Sequence, residues 1–151
     1  MRYAGFWRRL GAALVDFLVL AATMTALGAL GLPIYRRREF TADLAGGSIS
    51  ASFHVDYNAF GLAVGLLLYW LYFAGLESSH RQGTLGKLAL SIKVTDLAGG
   101  RIGFGRATGR YFAKYLSAAI LLIGFVMAGF TRRKQALHDL IAGTLVVDRA
   151  P

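Results

Sequence analysis

The amino-acid sequence predicts an α-helical integral membrane protein: two full transmembrane helices, a third membrane-embedded segment that re-enters or spans, and a small cytoplasmic β-hairpin. Three observations carry this. First, 56% of the 151 residues are hydrophobic and mean hydropathy is +0.51. Soluble domains disperse their apolar residues, whereas these are collected into blocks. Second, two blocks, 10–32 and 57–76, hold 23 and 20 residues, with Asp16 the only charge in either. About 20 apolar residues cross ~30 Å of hydrocarbon. Third, the basic residues behind the net charge of +9 flank the apolar blocks, as the bias of lysine and arginine toward the cytoplasmic side arranges them.

Residues 1–10 form an interfacial anchor, with the rings of Phe6 and Trp7 at headgroup level and Arg8 and Arg9 toward water. The first helix runs over 6–32, its span over about 10–32, and Gly31 and Pro33 end it. A signal peptide is disfavoured, because the apolar run is too long and carries Asp16. In the following loop Gly46-Gly47-Ser48 signals a turn, and residues 49–55 alternate weakly as a short strand. The second span covers about 57–76 and ends in an aromatic belt of Tyr69, Trp70, Tyr72 and Phe73, with Glu77 next. Leu88, Leu90, Ile92 and Val94 then alternate with Ala89, Ser91, Lys93 and Thr95, which reads as a strand. A turn at 96–100 and a return strand at 101–104 complete the expected hairpin. Arg106, Arg110 and Lys114 recur every four residues and predict an amphipathic basic helix. It leads into the third block, membrane-embedded over about 112–131, and a β-like tail follows at 145–147. The whole of 1–151 reads as a single membrane domain.

Charge counting bears on the third block. Lysine and arginine number three before the first span, three in the 33–56 loop, seven in 77–114 and four after the third block. A crossing third block would divide them ten against seven, and a re-entrant one fourteen against three. The positive-inside bias favours re-entry with a cytoplasmic N-terminus. The 17 uncharged residues of 115–131 are also marginal for a span.

Candidate chemistry centres on Arg9, Asp16 and Asp139. Seven residues are about two helical turns, so Arg9 and Asp16 share nearly one face. A carboxylate within the bilayer costs roughly 2.5–3.5 kcal/mol and needs a partner or a wet cavity. Asp16 then either binds a proton or cation, with Arg9 tuning it, or bonds a hydroxyl, an amide or another helix's cation to lock the fold. Asp139 is either a helix-start or surface charge, or a desolvated partner of Arg9.

Several classes of chemistry are disfavoured. Residues 83–87, Gly-Thr-Leu-Gly-Lys, lack the first glycine of a phosphate loop and carry Leu88 where it needs serine or threonine. His54, His80 and His138 share no metal spacing. With no cysteine there is no disulfide or thiolate, and no nucleophile elbow is present. Neither an enzyme, nor a cofactor, nor a nucleic-acid partner is expected.

The order of these residues resembles the RDD family of bacterial membrane proteins. The similarity runs through Tyr3-Ala4-Gly5-Phe6-Trp7-Arg8-Arg9-Leu10-Gly11-Ala12 and Val15-Asp16. It continues through Gly83-Thr84-Leu85-Gly86-Lys87, Ile92-Lys93-Val94, Gly99-Gly100-Arg101 and Phe104-Gly105-Arg106-Ala107. It closes with Arg132-Arg133-Lys134-Gln135-Ala136-Leu137-His138-Asp139 and Ala142-Gly143-Thr144. Arg9, Asp16 and Asp139 match the arginine and two aspartates that name the family. Leu85 stands where the family often has proline. The resemblance implies the bacterial inner membrane and, less directly, transport, since cation/proton exchange has been proposed for some members. Two functions are therefore expected. One is a transporter or exchanger subunit using Asp16, which two or three spans could build only as a homo-oligomer or within a larger complex. The other is a scaffold or accessory subunit whose basic hairpin docks a partner or anionic lipid.

Overall fold

The computed structural model describes residues 2–37, 40–44, 47–51, 55–119 and 123–149. Helix α1 spans Phe6–Ala29 and α2 spans Ala59–Ser78, and both are long and apolar enough to cross a membrane. Between them lie β1 (Tyr35–Arg37), β2 (Phe40–Leu44), β3 (Gly47–Ala51) and β4 (Val55–Tyr57). After α2 come α3 (Leu85–Ala89), β5 (Ile92–Asp96), α4 (Phe104–Ala119), α5 (Ile123–Phe130), α6 (Leu137–Ala142) and β6 (Thr144–Asp148). These elements form two compact units, one of residues 1–19 and 69–151, the other of residues 20–68.

In the second unit β1 pairs antiparallel with β4, and β2 with β3. Part of the strand expected at 49–55 thus exists, in β3 and β4, while 52–54 lie outside the described residues. The turn into α2 is fixed by Asn58, whose side chain donates to the Pro33 carbonyl and accepts from the Gly61 amide. A β-carbon on Gly61 would stand 1.8 Å from the Ile34 carbonyl oxygen, so only glycine fits there.

The first unit carries the candidate site. Its core packs Ala4, Ala12, Ala74, Ile92, Val94, Ile102, Ala107 and Val146. β5 pairs antiparallel with β6 from Ile92↔Asp148 to Asp96↔Thr144. Tyr3 bridges Val147, and Ala4 donates to the Val146 carbonyl, so the N-terminal stretch lies along β6.

This pairing corrects the expected hairpin. Asp96 does make the turn, its carboxylate accepting from the Ala98 and Gly100 amides. No strand follows at 101–104, however: Phe104 opens α4, and β5 takes the distant C-terminal strand instead. Residues 144–148 offer a five-residue run rich in apolar and β-branched side chains, a better partner than Arg-Ile-Gly-Phe. Nor does the expected strand begin at Leu88, since Leu88 and Ala89 belong to α3. Their alternation was a fragment of helix that period-2 counting cannot separate from a strand.

In the third apolar block the described residues belong to α4 (Phe104–Ala119) and α5 (Ile123–Phe130), and 120–122 lie outside the described residues. α4 is turned inside out relative to a soluble amphipathic helix. Arg110 is buried, whereas Phe104, Phe112, Tyr115 and Leu116 are exposed. Apolar side chains are likewise outward on α1 (Trp7, Leu14, Phe17, Leu18) and α2 (Phe60, Leu62, Leu66, Leu67). So much exposed apolar surface marks a membrane or partner contact rather than a water-facing surface.

Candidate functional site

Asp16 is 1% exposed, and three donors hold it. Its Oδ1 accepts from the Tyr72 hydroxyl and the Gly86 amide, both at 2.7 Å, and its Oδ2 from the Thr84 hydroxyl at 2.6 Å. α2 supplies Tyr72, and the entry to α3 supplies Thr84 and Gly86. Gly86 is required by the close approach: a β-carbon there would lie 2.1 Å from the Ala12 carbonyl oxygen and 2.9 Å from Asp16 Oδ1. The segment 83–87, which fails the phosphate-loop pattern, thus supplies the cradle of the first helix's carboxylate. Arg9 does not reach Asp16.

Arg9 instead turns to the other end of the chain. It pairs with Asp139 Oδ2 and donates to the Lys134 carbonyl at 2.5 Å and the Ala4 carbonyl at 3.0 Å. Asp139 sits in the first turn of α6, where its Oδ2 also accepts from the Ala136 amide at 3.1 Å. That position suits an acid, because helix-start amides favour negative charge.

Arg110, from α4, ties this pair to α2. Its Nε and Nη2 lie 2.9 and 2.7 Å from Asp139 Oδ1, and its Nη1 donates to Glu77 Oε2 at 2.5 Å. Glu77 Oε1 is approached by Lys87 at 3.1 Å and Lys114 at 3.6 Å. Lys87 Nζ donates in turn to the Thr84 hydroxyl at 3.4 Å, which holds Asp16. A continuous polar chain therefore runs from Asp16 through Thr84, Lys87, Glu77 and Arg110 to Asp139 and Arg9. Arg110, Glu77, Asp139 and Asp16 are each no more than 1% exposed. Burying one such charge unpaired would cost several kcal/mol, so every member depends on its neighbours.

The electrostatics of α6 follow from this. The guanidiniums of Arg110 and Arg9 outweigh burial and hold the Asp139 carboxyl well below its usual value. Burial, and the neighbouring Arg110, push the His138 imidazole down to about 3. His138 is therefore neutral near pH 7, and its Nε2, 3.5 Å from Asp139 Oδ1, is not a charged partner there. Among the described residues, no three histidine, aspartate or glutamate side chains gather to hold a metal.

The structure thus joins two of the three candidate residues, Arg9 and Asp139, and seats Asp16 separately, linked through Thr84 and Lys87. Sequence reasoning missed Tyr72, Thr84, Lys87, Glu77 and Arg110. A signal existed for Glu77 and Arg110, which are charges at the borders of apolar stretches.

A family model described as "RDD family" matches residues 3–143. This chain belongs to the RDD family. It is also similar to two proteins of Bacillus subtilis (strain 168). With "Uncharacterized protein YxaI" it is 48% identical over 77 residues, covering 51% of this chain and 50% of that protein. With "Uncharacterized membrane protein YteJ" it is 32% identical over 151 residues, covering 96% of this chain and 80% of that protein. The chain thus spans half the length of the first relative. No solved structure matches. Family membership and the two long apolar helices agree that this is an RDD membrane protein.

Proposed function

We propose that this RDD chain is a docking module of the bacterial inner membrane, a scaffold or accessory subunit and not a permeation pathway, and that it is not an enzyme. α1 and α2 cross the bilayer, and the N-terminus is cytoplasmic, on the side where lysine and arginine predominate. α4 and α5 form the third, membrane-dipping element, an arrangement that supplies apolar surroundings for the outward Phe112, Tyr115 and Leu116. The basic surface offered to a partner is the β5–β6 sheet and its approaches, with Arg81, Lys93, Arg101 and Arg149, replacing the expected hairpin.

The observation that carries this reading is the occupancy of Asp16. Both its oxygens already accept from donors, one of them the fixed N–H of Gly86. A cation seated there would face that amide proton, whereas a carboxylate ringed by donors is a lock between helices.

A second reading, a transporter or cation/proton exchanger subunit, draws on the unbroken polar chain from Asp16 to Arg9. Proton and cation flux in proteoliposomes separates the two, comparing the native chain with Asp16→Asn in sodium, potassium and neither. The docking reading expects no flux above empty liposomes from folded, inserted protein, and lowered stability in the variant. Cation-dependent flux that disappears in a folded Asp16→Asn protein would overturn it.

A further inference from the structure

Three arginines, Arg2, Arg8 and Arg149, are tied to one end of the β5–β6 sheet. Arg2 and Arg8 both pair with the Asp148 carboxylate of β6, and the Arg2 side chain stays 91% exposed. Arg8 also donates to the Leu90 carbonyl at 2.5 Å and the Ser91 carbonyl at 3.5 Å. That Ser91 carbonyl accepts from the Arg149 amide at 2.9 Å, and the exposed Arg149 side chain donates to the Arg81 carbonyl at 2.6 Å. Asp96, the other acidic residue of the sheet, stands at its opposite end, paired with Thr144. Among the described residues the Arg2 side chain makes no hydrogen bond and that of Arg149 makes one. A guanidinium has five N–H donors, so most of theirs are free to meet a ligand.

This corner is held against the ends of the two long apolar helices. Arg8 lies in the first turn of α1. Leu90 packs on the second turn, since a β-carbon on Gly11 would stand 2.9 Å from its Cδ1. Arg81 follows Ser78, the end of α2, by three residues. With α1 and α2 across the bilayer, these positions fall at headgroup depth. Trp7, 78% exposed in the first turn of α1, is a side chain that such an interface favours. A surface for an acidic segment of a soluble protein would have no need of this depth.

We propose that this end of the sheet is a docking surface for the headgroup phosphates of anionic phospholipids. Arg8 fixes the corner to α1, and Arg2 and Arg149 present their forks to the lipid. A guanidinium fork takes two phosphate oxygens at once. The phosphates supply negative charge that Asp148, one carboxylate between two guanidiniums, does not. A zwitterionic headgroup carries its own cation and meets the corner less well, so the surface selects anionic lipid. The inference rests on the docking reading of the chain and names the ligand of part of its basic surface.

The test uses the full chain in nanodiscs of phosphatidylcholine with and without phosphatidylglycerol. Retained lipid is counted by native mass spectrometry after transfer to detergent. The native chain is expected to retain phosphatidylglycerol over phosphatidylcholine. Arg2→Gln and Arg149→Gln should each lower that retention about fivefold, the worth of one cation near an anionic surface, and together about 25-fold. Both side chains are exposed, so the variants spare the core. Arg132→Gln with Arg133→Gln removes the same charge from exposed positions outside the corner and should leave retention unchanged. Equal retention of both lipids by the native chain, or equal losses in the two double variants, overturns the site. Loss of the bound lipid to free inorganic phosphate overturns its assignment to a lipid. Poly-glutamate bound by the native chain and not by Arg2→Gln/Arg149→Gln, with no lipid preference, would give the corner to an acidic protein segment instead. Cation flux in the liposome assay would fail the docking reading by a separate readout, leaving lipid retention to judge this surface.

Discussion

Replacing Gly86 with alanine should damage this fold more than replacing any other glycine on α3 or α4. The new methyl would stand 2.1 Å from the Ala12 carbonyl oxygen and 2.9 Å from Asp16 Cγ and Oδ1. Helix α1 cannot yield locally, because the Ala12 carbonyl belongs to its hydrogen-bond ladder. The 84–87 segment must therefore retreat by about 1 Å, enough to break the 2.7 Å bond from the Gly86 amide to Asp16. Losing a hydrogen bond to a buried charge costs about 1.5–3 kcal/mol, and the overpacking itself about 1–3 kcal/mol. Gly86→Ala should thus destabilise by about 3–5 kcal/mol. The matched control is Gly109→Ala on α4, where a β-carbon meets nothing within 4 Å. There alanine should be neutral or stabilising by about 0.5–1 kcal/mol through helix propensity. Unfolding of both variants in mixed detergent micelles, followed by circular dichroism against SDS fraction, measures the difference. If Gly86→Ala lies within about 0.5 kcal/mol of the native chain, the close packing of α1 against the 84–87 segment is wrong.

Arg110→Met leaves Glu77 and Asp139 without their shared cation and should cost about 3–5 kcal/mol in the same assay; a smaller loss than that of exposed Arg106→Met would refute the network. Tyr72→Phe and Thr84→Val each remove one donor to Asp16 and should cost about 1–3 kcal/mol. In combination they should be non-additive, since both act on one carboxylate, and strictly additive losses in a double-mutant cycle would count against the shared cradle. The pH dependence has a definite sign. His138 is lowered from 6.5 to about 3 in the fold, so the unfolded chain binds a proton that the folded one refuses. Stability is therefore intact above 6.5 and falls as pH drops toward 3, by about 3 kcal/mol at pH 4. Asp139 adds a further loss below its ordinary 3.8, and His138→Gln should flatten only the upper part of a melting-temperature profile.

Much was legible in the chain itself. The two long helices were readable because crossing a bilayer demands about 20 consecutive apolar residues, and local composition encodes that demand directly. The importance of Asp16 was legible for the converse reason, since a charge inside such a block needs explanation. What the chain order could not show was partner choice. Residues 92–96 alternate as a strand should, yet nothing local says whether they pair with 101–104 or with 144–148. In the fold the pairing goes to 144–148, while Ile102 reaches the same core, beside Ala4, Ala12, Ala74 and Val146, without joining the sheet.

The sequence by itself determined a membrane protein of the RDD family with two helices long and apolar enough to span, and one charge, Asp16, out of place inside an apolar block, with Arg9 and Asp139 named beside it. Only the tertiary structure decided what those charges meet. Arg9 passes over Asp16, seven residues away, for Asp139, 130 positions further along. Asp16 is claimed by Tyr72, Thr84 and Gly86, and Glu77 and Arg110 join the two ends. The physical reason is that hydrophobic blocks are one-dimensional signals of solvent preference. A buried ion, by contrast, is stable only where several distant segments bring donors and counter-charges to within about 3 Å of it.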